Sequence, residues 1–402
     1  MTSRLPRRAL LGVKLPRGGA AFTPEGMRVA GTTPGGTAVA AGVLPGDLLI
    51  SVGSLPVRSP DELRAALQSA GALEVTDLVV ERGGARISLP ARVERRPVER
   101  IAGAEVILEE IRSRGARLRV IVTRPESALV SPAVLFIQGI SCESIDFGGR
   151  SGAPILQLIR GLSGAGLVTM RIEKRGVGDS EGEACEAGGF DGEVEDKKAA
   201  LRALAGYSFV DKRAIFAFGH SVGGMIAPLL EPLGLLRGVL VLGTSAFRWL
   251  DCVEASTRRQ AILRGASPED GERAARLERE DLERAIGDPG ALAMIGGRGA
   301  AFHRELERAN LAQAWADVKC PVLVLRGEFD WVVGEEEQAA IARIVNERRP
   351  GCAEIQMIPG VDHLMTRHES LGESLRSYGG GAFDPAVVTA AVAFVRRILA
   401  GP

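Results

Sequence analysis

The chain has 402 residues, room for two or three folding units that each bury a sizeable core, which excludes a single small module. Lys and Arg total 50 and Asp and Glu total 50, so no overall positive field argues for nucleic acid and no acidic excess argues for disorder. The hydrophobic fraction of 46% and the charged fraction of 25% are those of an ordinary soluble globular protein.

The first 14 residues offer only about five apolar positions before Lys14, too few for a secretory h-region, and Arg7-Arg8 reads as a chance pair. No run approaches the roughly 18 apolar residues that cross a bilayer, so the expectation is a soluble, cytoplasmic protein without a membrane span. The five cysteines, Cys142, Cys185, Cys252, Cys320 and Cys352, are odd in number and scattered, with no CxxC pair and no His at zinc-ligand spacing. They predict buried thiols, with no disulfide framework, no metal site and no cofactor.

Residues 1–97 read as a first domain of short apolar runs broken by Gly and Pro. Ser59-Pro-Asp-Glu-Leu-Arg-Ala-Ala-Leu67 predicts an N-capped helix, with Ser59 as the cap, Pro60 at the first position and two acids in the first turn. Gly83-Gly84 between apolar runs at 75–82 and 85–89 predicts a hairpin. The string Ala38-Val-Ala-Ala-Gly42, then Val-Leu-Pro-Gly-Asp47 and a strand ending at Gly53, resembles the PDZ domains of bacterial protease-associated type. That resemblance implies a loop at Leu10, Leu11, Gly12 and Val13 whose backbone N–H groups take the carboxylate of a peptide C-terminus, the peptide then adding as an edge strand. The alternative is a copy that has lost its ligand and packs on the neighbouring domain.

The polar, Pro-containing stretch 93–100 marks the boundary, and residues 98–402 form the second domain. Strands are predicted at 104–108 and 118–123 around a polar turn, then at 133–137, 166–171, 214–218, 239–242, 321–325 and 354–358. Helical patterns at 153–162, 192–205 and 335–349 lie between them, so the expected class is α/β with a mostly parallel sheet covered on both faces and ligands at the carboxyl ends of its strands.

Ala214-Ile-Phe-Ala-Phe-Gly-His-Ser221-Val-Gly-Gly224 runs an apolar strand into Gly-x-Ser-x-Gly and then into a helix, the context that motif requires. Here the chain resembles the α/β-hydrolase family over roughly residues 98–400, which implies that Ser221 is a nucleophile. A serine hydroxyl needs a base within hydrogen-bond reach and a carboxylate to orient that base. Of four histidines, His220 adjoins the nucleophile and reads as packing, and His303 falls in a charged helical insertion. His363 follows the last strand, where the family places its base, with His368 as the fallback. Cys320-Pro-Val-Leu-Val-Leu-Arg-Gly-Glu-Phe-Asp330 matches the family's acid loop, which implies Asp330 over Glu328 or Asp362, and the order Ser221, Asp330, His363 is the family's.

The resemblance also implies an oxyanion hole from the N–H groups of Val222 and Ile140, the latter in Phe136-Ile-Gln-Gly-Ile140, where Gln138 replaces the family's His. Arg175-Gly-Val-Gly-Asp-Ser-Glu-Gly182 reads as a structural loop. A helical cap is expected at about 247–316, with Phe247, Trp249 and Met294 as candidate lining residues. The expected activity is hydrolysis of a small carboxylic ester by acyl transfer. Thioester or C-terminal peptide hydrolysis, and a non-enzymatic PDZ scaffold with an inert hydrolase fold, are the alternatives.

Overall fold

The computed structural model describes residues 5–16, 21–126, 129–148, 152–288, 294–295, 297–377 and 379–401. In the N-terminal region the two-residue strands β1 (Val13–Lys14) and β3 (Gly31–Thr32) pair with each other. A second sheet joins β2 (Met27–Arg28), β4 (Leu48–Val52), β5 (Leu55–Pro56), β6 (Val75–Arg82) and β7 (Ala85–Arg92). The hairpin between β6 and β7 turns through Gly83 and Gly84, both at positive φ, as the Gly-Gly signal predicts. Two helices complete the unit, α1 (Thr37–Ala40) and α2 (Pro60–Ala70); Ser59 Oγ accepts from the Glu62 N–H 3.1 Å away, the cap expected there. Asp47 shows why Gly-Asp precedes β4: its buried carboxylate accepts from the Leu44 N–H and from Arg82, tying the turn to β6.

Eight strands form the large sheet, in the order β17 (Ala353–Ile358), β16 (Val322–Gly327), β13 (Gly238–Leu242), β12 (Val210–His220), β10 (Ser131–Ile137), β11 (Val168–Ile172), β9 (Ala116–Pro125), β8 (Ala104–Ser113). The six central and C-terminal strands run parallel, while β9 and β8 are antiparallel additions at one edge. Strand β10 displays the period of two: Leu135 and Ile137 enter one core and Val134 and Phe136 the other, so the strand is apolar throughout. The first core packs under α4 (Phe190–Leu204), α8 (Ala300–Arg308), α9 (Leu311–Asp317) and α10 (Glu335–Arg348). The second lies beneath α3 (Pro154–Gly164) and α12 (Ala386–Ala400), which follows the short α11 (Leu371–Ser377). Between β13 and β16 run α6 (Trp249–Leu263) and α7 (Pro268–Gly287), followed by the small pair β14 (Met294–Ile295) and β15 (Arg298–Gly299) and then α8 and α9. No helix among the described residues is long and apolar enough to cross a membrane.

One expectation is overturned. Cys142 and Cys185 form a disulfide, with Cα atoms 5.7 Å apart. Their sequence separation of 43 gives no signal, but Cys142 follows β10 and Cys185 follows β11, and these strands are parallel neighbours whose carboxyl ends lie side by side. Of the remaining thiols Cys252 and Cys320 are buried, as expected, and Cys352 is partly exposed.

Candidate active site

The site is assembled at the carboxyl ends of β10, β12, β13, β16 and β17. From β12 the chain turns at once into α5 (Val222–Ile226), and Ser221 at the turn has φ 54° and ψ −127°, a conformation that costs a non-glycine residue of order 1–3 kcal/mol. The turn is tight: a Cβ on Gly223 would sit 2.1 Å from the Ile137 carbonyl oxygen of the adjacent strand, and one on Gly219 would sit 2.5 Å from the Gly223 carbonyl oxygen. This is the physical content of the Gly-x-Ser-x-Gly pattern.

His363 follows β17 and Asp330 follows β16, and both are buried. His363 Nδ1 lies 3.2 and 3.1 Å from the two Asp330 carboxylate oxygens. Asp330 Oδ1 also accepts from the N–H groups of Val332 and Val333, each at 2.9 Å. Burial opposes charge on both side chains, but each is the other's counter-ion, so the Asp330 pKa lies below the ordinary carboxylate value and that of His363 above the ordinary imidazole value.

The other histidines are occupied elsewhere. His368 Nε2 is 3.1 Å from Asp362 Oδ2 and 3.0 Å from Thr366 Oγ1, a pair internal to the loop after β17. His303 accepts at Nδ1 from the Trp249 indole N–H. His220 is buried and placed 2.8 Å from the His363 carbonyl oxygen through Nε2; burial holds its pKa down at about 4, so it is neutral and braces the His363 backbone. Gly243, directly after β13, was not singled out by its sequence. At φ +62° it faces the His–Asp pair, and a Cβ there would lie 2.7 Å from His363 Nδ1.

Across from Ser221 stands the segment after β10. Gly139 approaches so closely that a Cβ there would be 3.0 Å from the Ser221 Cβ. The N–H groups of Ile140 and Val222, the two expected oxyanion donors, donate no hydrogen bond among the described residues. Gln138 stands where the family has His, and its side-chain amide donates to the carbonyls of Ser141 and Glu143, so it staples its own loop. From beneath, Lys174 Nζ donates to Gly139 O at 2.7 Å and Ile140 O at 3.2 Å, and Arg298 donates to Ile140 O at 3.1 Å. Burial lowers the Lys174 pKa to about 8 despite Glu193 3.2 Å away.

A pocket of about 240 Å³ opens onto Ser221 and Ile140, walled by Met225, Trp249, Val253 and Val333, with polar lining from Ser256, Thr257 and Gln260 of α6 and from Ser245 and Glu337. Trp249 thus lines the pocket as expected, whereas Phe247 packs against the core and Met294 is exposed.

A sequence model of the alpha/beta hydrolase family matches residues 134–370, more than half of the chain. The chain belongs to the alpha/beta hydrolase family. A PDZ-domain model matches residues 28–82, within the small N-terminal region. Among solved structures, DcsB in complex with a substrate analogue is similar at 19% identity, over 74% of this chain and 100% of its own, with a TM-score of 0.50. Est1E from Butyrivibrio proteoclasticus is similar at 18% identity, over 74% of this chain and 100% of its own, with a TM-score of 0.48. EstE1, a carboxylesterase cloned from a metagenomic library, is similar at 19% identity, over 75% of this chain and 90% of its own, with a TM-score of 0.46. At such identities the likeness concerns the fold alone. No curated protein matches the sequence.

The PDZ-like region docks on the hydrolase sheet through residues 5–9. Arg7 pairs with Asp146 and Asp179, and the Arg8 N–H donates to Asp179 Oδ1 at 2.7 Å. Asp179 also receives Arg119 at 3.0 Å, so the 175–182 loop is structural as expected and grips the N-terminal strap. The loop at Leu10, Leu11, Gly12 and Val13 lies in a groove of about 490 Å³ between it and α2. Its carbonyls at Leu10 and Leu11 accept from the first N–H groups of α1, while the Leu11 and Gly12 N–H groups donate no hydrogen bond among the described residues. The region therefore packs on its neighbour and still leaves its groove open.

Proposed function

We propose that the chain is a serine hydrolase that cleaves small carboxylic esters by acyl transfer. Ser221 Oγ attacks the ester carbonyl as His363 takes its proton, and the charge on the carbonyl oxygen is received by the Ile140 and Val222 N–H groups. Asp330 fixes the His363 ring with Nδ1 protonated, leaving Nε2 to accept, and stabilises the imidazolium that forms. The imidazolium then protonates the departing alcohol. Water, deprotonated by the same nitrogen, attacks the acyl-enzyme and restores Ser221. The carrying observation is the buried His363–Asp330 pair, at 3.1 Å, beside a strained serine turn that opens into a pocket.

The pocket favours short, unbranched acyl groups, since about 240 Å³ lies below the usual range for drug-sized ligands. We take α6 through α9 as the cap over it, residues 1–97 and 98–402 as the two domains, and a peptide C-terminus as the partner of the PDZ groove. The test is labelling with a fluorophosphonate followed by p-nitrophenyl acetate, butyrate and octanoate, an acyl thioester and a peptide panel. Labelling lost in Ser221→Ala with fastest turnover of the short esters is the expected result; turnover of thioester or peptide alone replaces the ester reading, and no reaction at Ser221 leaves the scaffold. On compartment, the expectation of cytoplasmic residence stands against a Cys142–Cys185 bond, which belongs to oxidising surroundings. Alkylation of free thiols at the moment of lysis separates the two.

A further inference from the structure

The PDZ groove and the oxyanion loop share a wall. On one side the groove is formed by Leu11, Gly12, Leu63 and Leu67, and on the other by Cys142 and Ser144 of the segment after β10. Cys142 is only two residues beyond Ile140. The segment 138–144 has no regular secondary structure; Lys174, Arg298 and Gln138 hold its inner face, while its outer face meets the groove. A second connection runs through side chains. Arg64 of α2 donates to both carboxylate oxygens of Glu186, at 3.1 and 3.2 Å, and Glu186 adjoins Cys185, whose disulfide partner is Cys142. A third runs from Arg96, whose guanidinium donates to Ser144 Oγ at 2.6 Å. The helix that would grasp a peptide is therefore tied to the oxyanion loop by an ion pair and a covalent bond.

The groove's chemistry selects its occupant. Two backbone N–H groups that donate no hydrogen bond among the described residues and the Arg8 guanidinium in the groove wall suit a terminal carboxylate, and Leu63 and Leu67 suit an apolar last side chain. Resting on the ester-hydrolase reading above, we propose that an apolar peptide C-terminus in this groove is a positive effector of hydrolysis at Ser221. A tail seated against 142–144 gains its contacts only when the loop is in place, so it favours the arrangement in which Ile140 presents its N–H. By linkage, an oxyanion held by that N–H must tighten the tail by the same factor.

The experiment uses the full chain and fluorescein-labelled decapeptides ending in Val, Leu, Phe or Ala, each as free acid and as C-terminal amide. Anisotropy reads binding, p-nitrophenyl butyrate reads turnover, and protein phosphonylated at Ser221 reads reciprocity. Free-acid tails are expected to bind and amides not; saturation should raise kcat/KM about 5-fold or more, and tail affinity should be higher for the phosphonylated protein than for the free one. Glu186→Gln and Cys142→Ser should keep binding while reducing the activation. Leu67→Arg, or Arg8→Glu where the former fails to fold, should abolish binding and activation together. A tail that binds without changing turnover, and whose affinity ignores phosphonylation, overturns the coupling and leaves the ester reading standing. Tails that do not bind overturn it by removing the effector. Failure of Ser221 to react with phosphonate or ester overturns the hydrolase reading itself, whatever the tails do.

Discussion

On the proposed mechanism Ser221, His363 and Asp330 act as a unit, so single replacements should each remove nearly all of the chemistry. Ser221→Ala should lower kcat by about 10⁴–10⁶ and Asp330→Asn by about 10⁴, with unchanged far-ultraviolet dichroism. The pH dependence follows from two buried cations. His363 must be neutral to accept a proton; burial is the largest single influence and opposes ionisation, but the charge and hydrogen bond of Asp330 together with the charge of Asp362 outweigh it, so its pKa stands above the ordinary 6.5. Turnover should therefore fall as pH drops through a value above 6.5. The same group stabilises the fold fully below its unfolded pKa, and that contribution is lost as pH rises through the folded one. Lys174 gives the alkaline limb. Its pKa of about 8 means that raising the pH above 8 removes the charge behind its bonds to Gly139 O and Ile140 O. Lys174→Met should abolish that limb and lower kcat by roughly 10- to 100-fold, less than the loss of an oxyanion donor itself. A steady-state pH profile of both proteins decides the matter. Gly243→Ala sets a methyl group 2.7 Å from His363 Nδ1 at a backbone φ of +62°, and should cost about 10²-fold in kcat by displacing the imidazole.

At the scale of elements, what the sequence revealed and what it hid divide along physical lines. The strand–Ser221–helix turn was legible because steric crowding forces glycines onto both sides of the serine. His363 stood out because only four histidines compete for the role. Gly243 was invisible, since its importance arises from a side chain 120 residues away that packs against it. Lys174 and Arg298 were hidden for a related reason: their partners are carbonyl oxygens, which carry no residue identity. The Cys142–Cys185 pairing depends on β10 and β11 becoming neighbours, a fact of sheet order rather than spacing. That bond closes a loop spanning 43 residues, so Cys185→Ser should lower unfolding free energy by roughly 2–4 kcal/mol. Urea denaturation with and without reductant measures it; a wild-type curve unmoved by reductant would mean that the bond contributes nothing.

On the scale of the whole molecule, the question is whether the PDZ-like region and the hydrolase sheet unfold as one. Their junction is ionic and buried: Asp179 carries the Arg7 and Arg119 guanidiniums and the Arg8 N–H, with side-chain exposures of 1% for Asp179 and 4% for Arg119. Arg119 in turn donates to the Leu5 carbonyl, so one carboxylate holds both the strap and the residue that receives it. Replacing it leaves a buried guanidinium without its counter-ion, which typically costs 3–5 kcal/mol. The three tryptophans, Trp249, Trp315 and Trp331, all lie on the hydrolase side, so their fluorescence follows that part alone while far-ultraviolet dichroism follows the entire chain. In the wild type the two signals should give one midpoint, because the strap transmits the stability of each part to the other. In Asp179→Asn the dichroism transition should begin at lower urea than the fluorescence transition, as the smaller N-terminal unit, with less buried core, loses its support first. Coincident transitions in the variant would show that the remaining contacts between α2 and the 180–186 segment suffice to hold the two parts together.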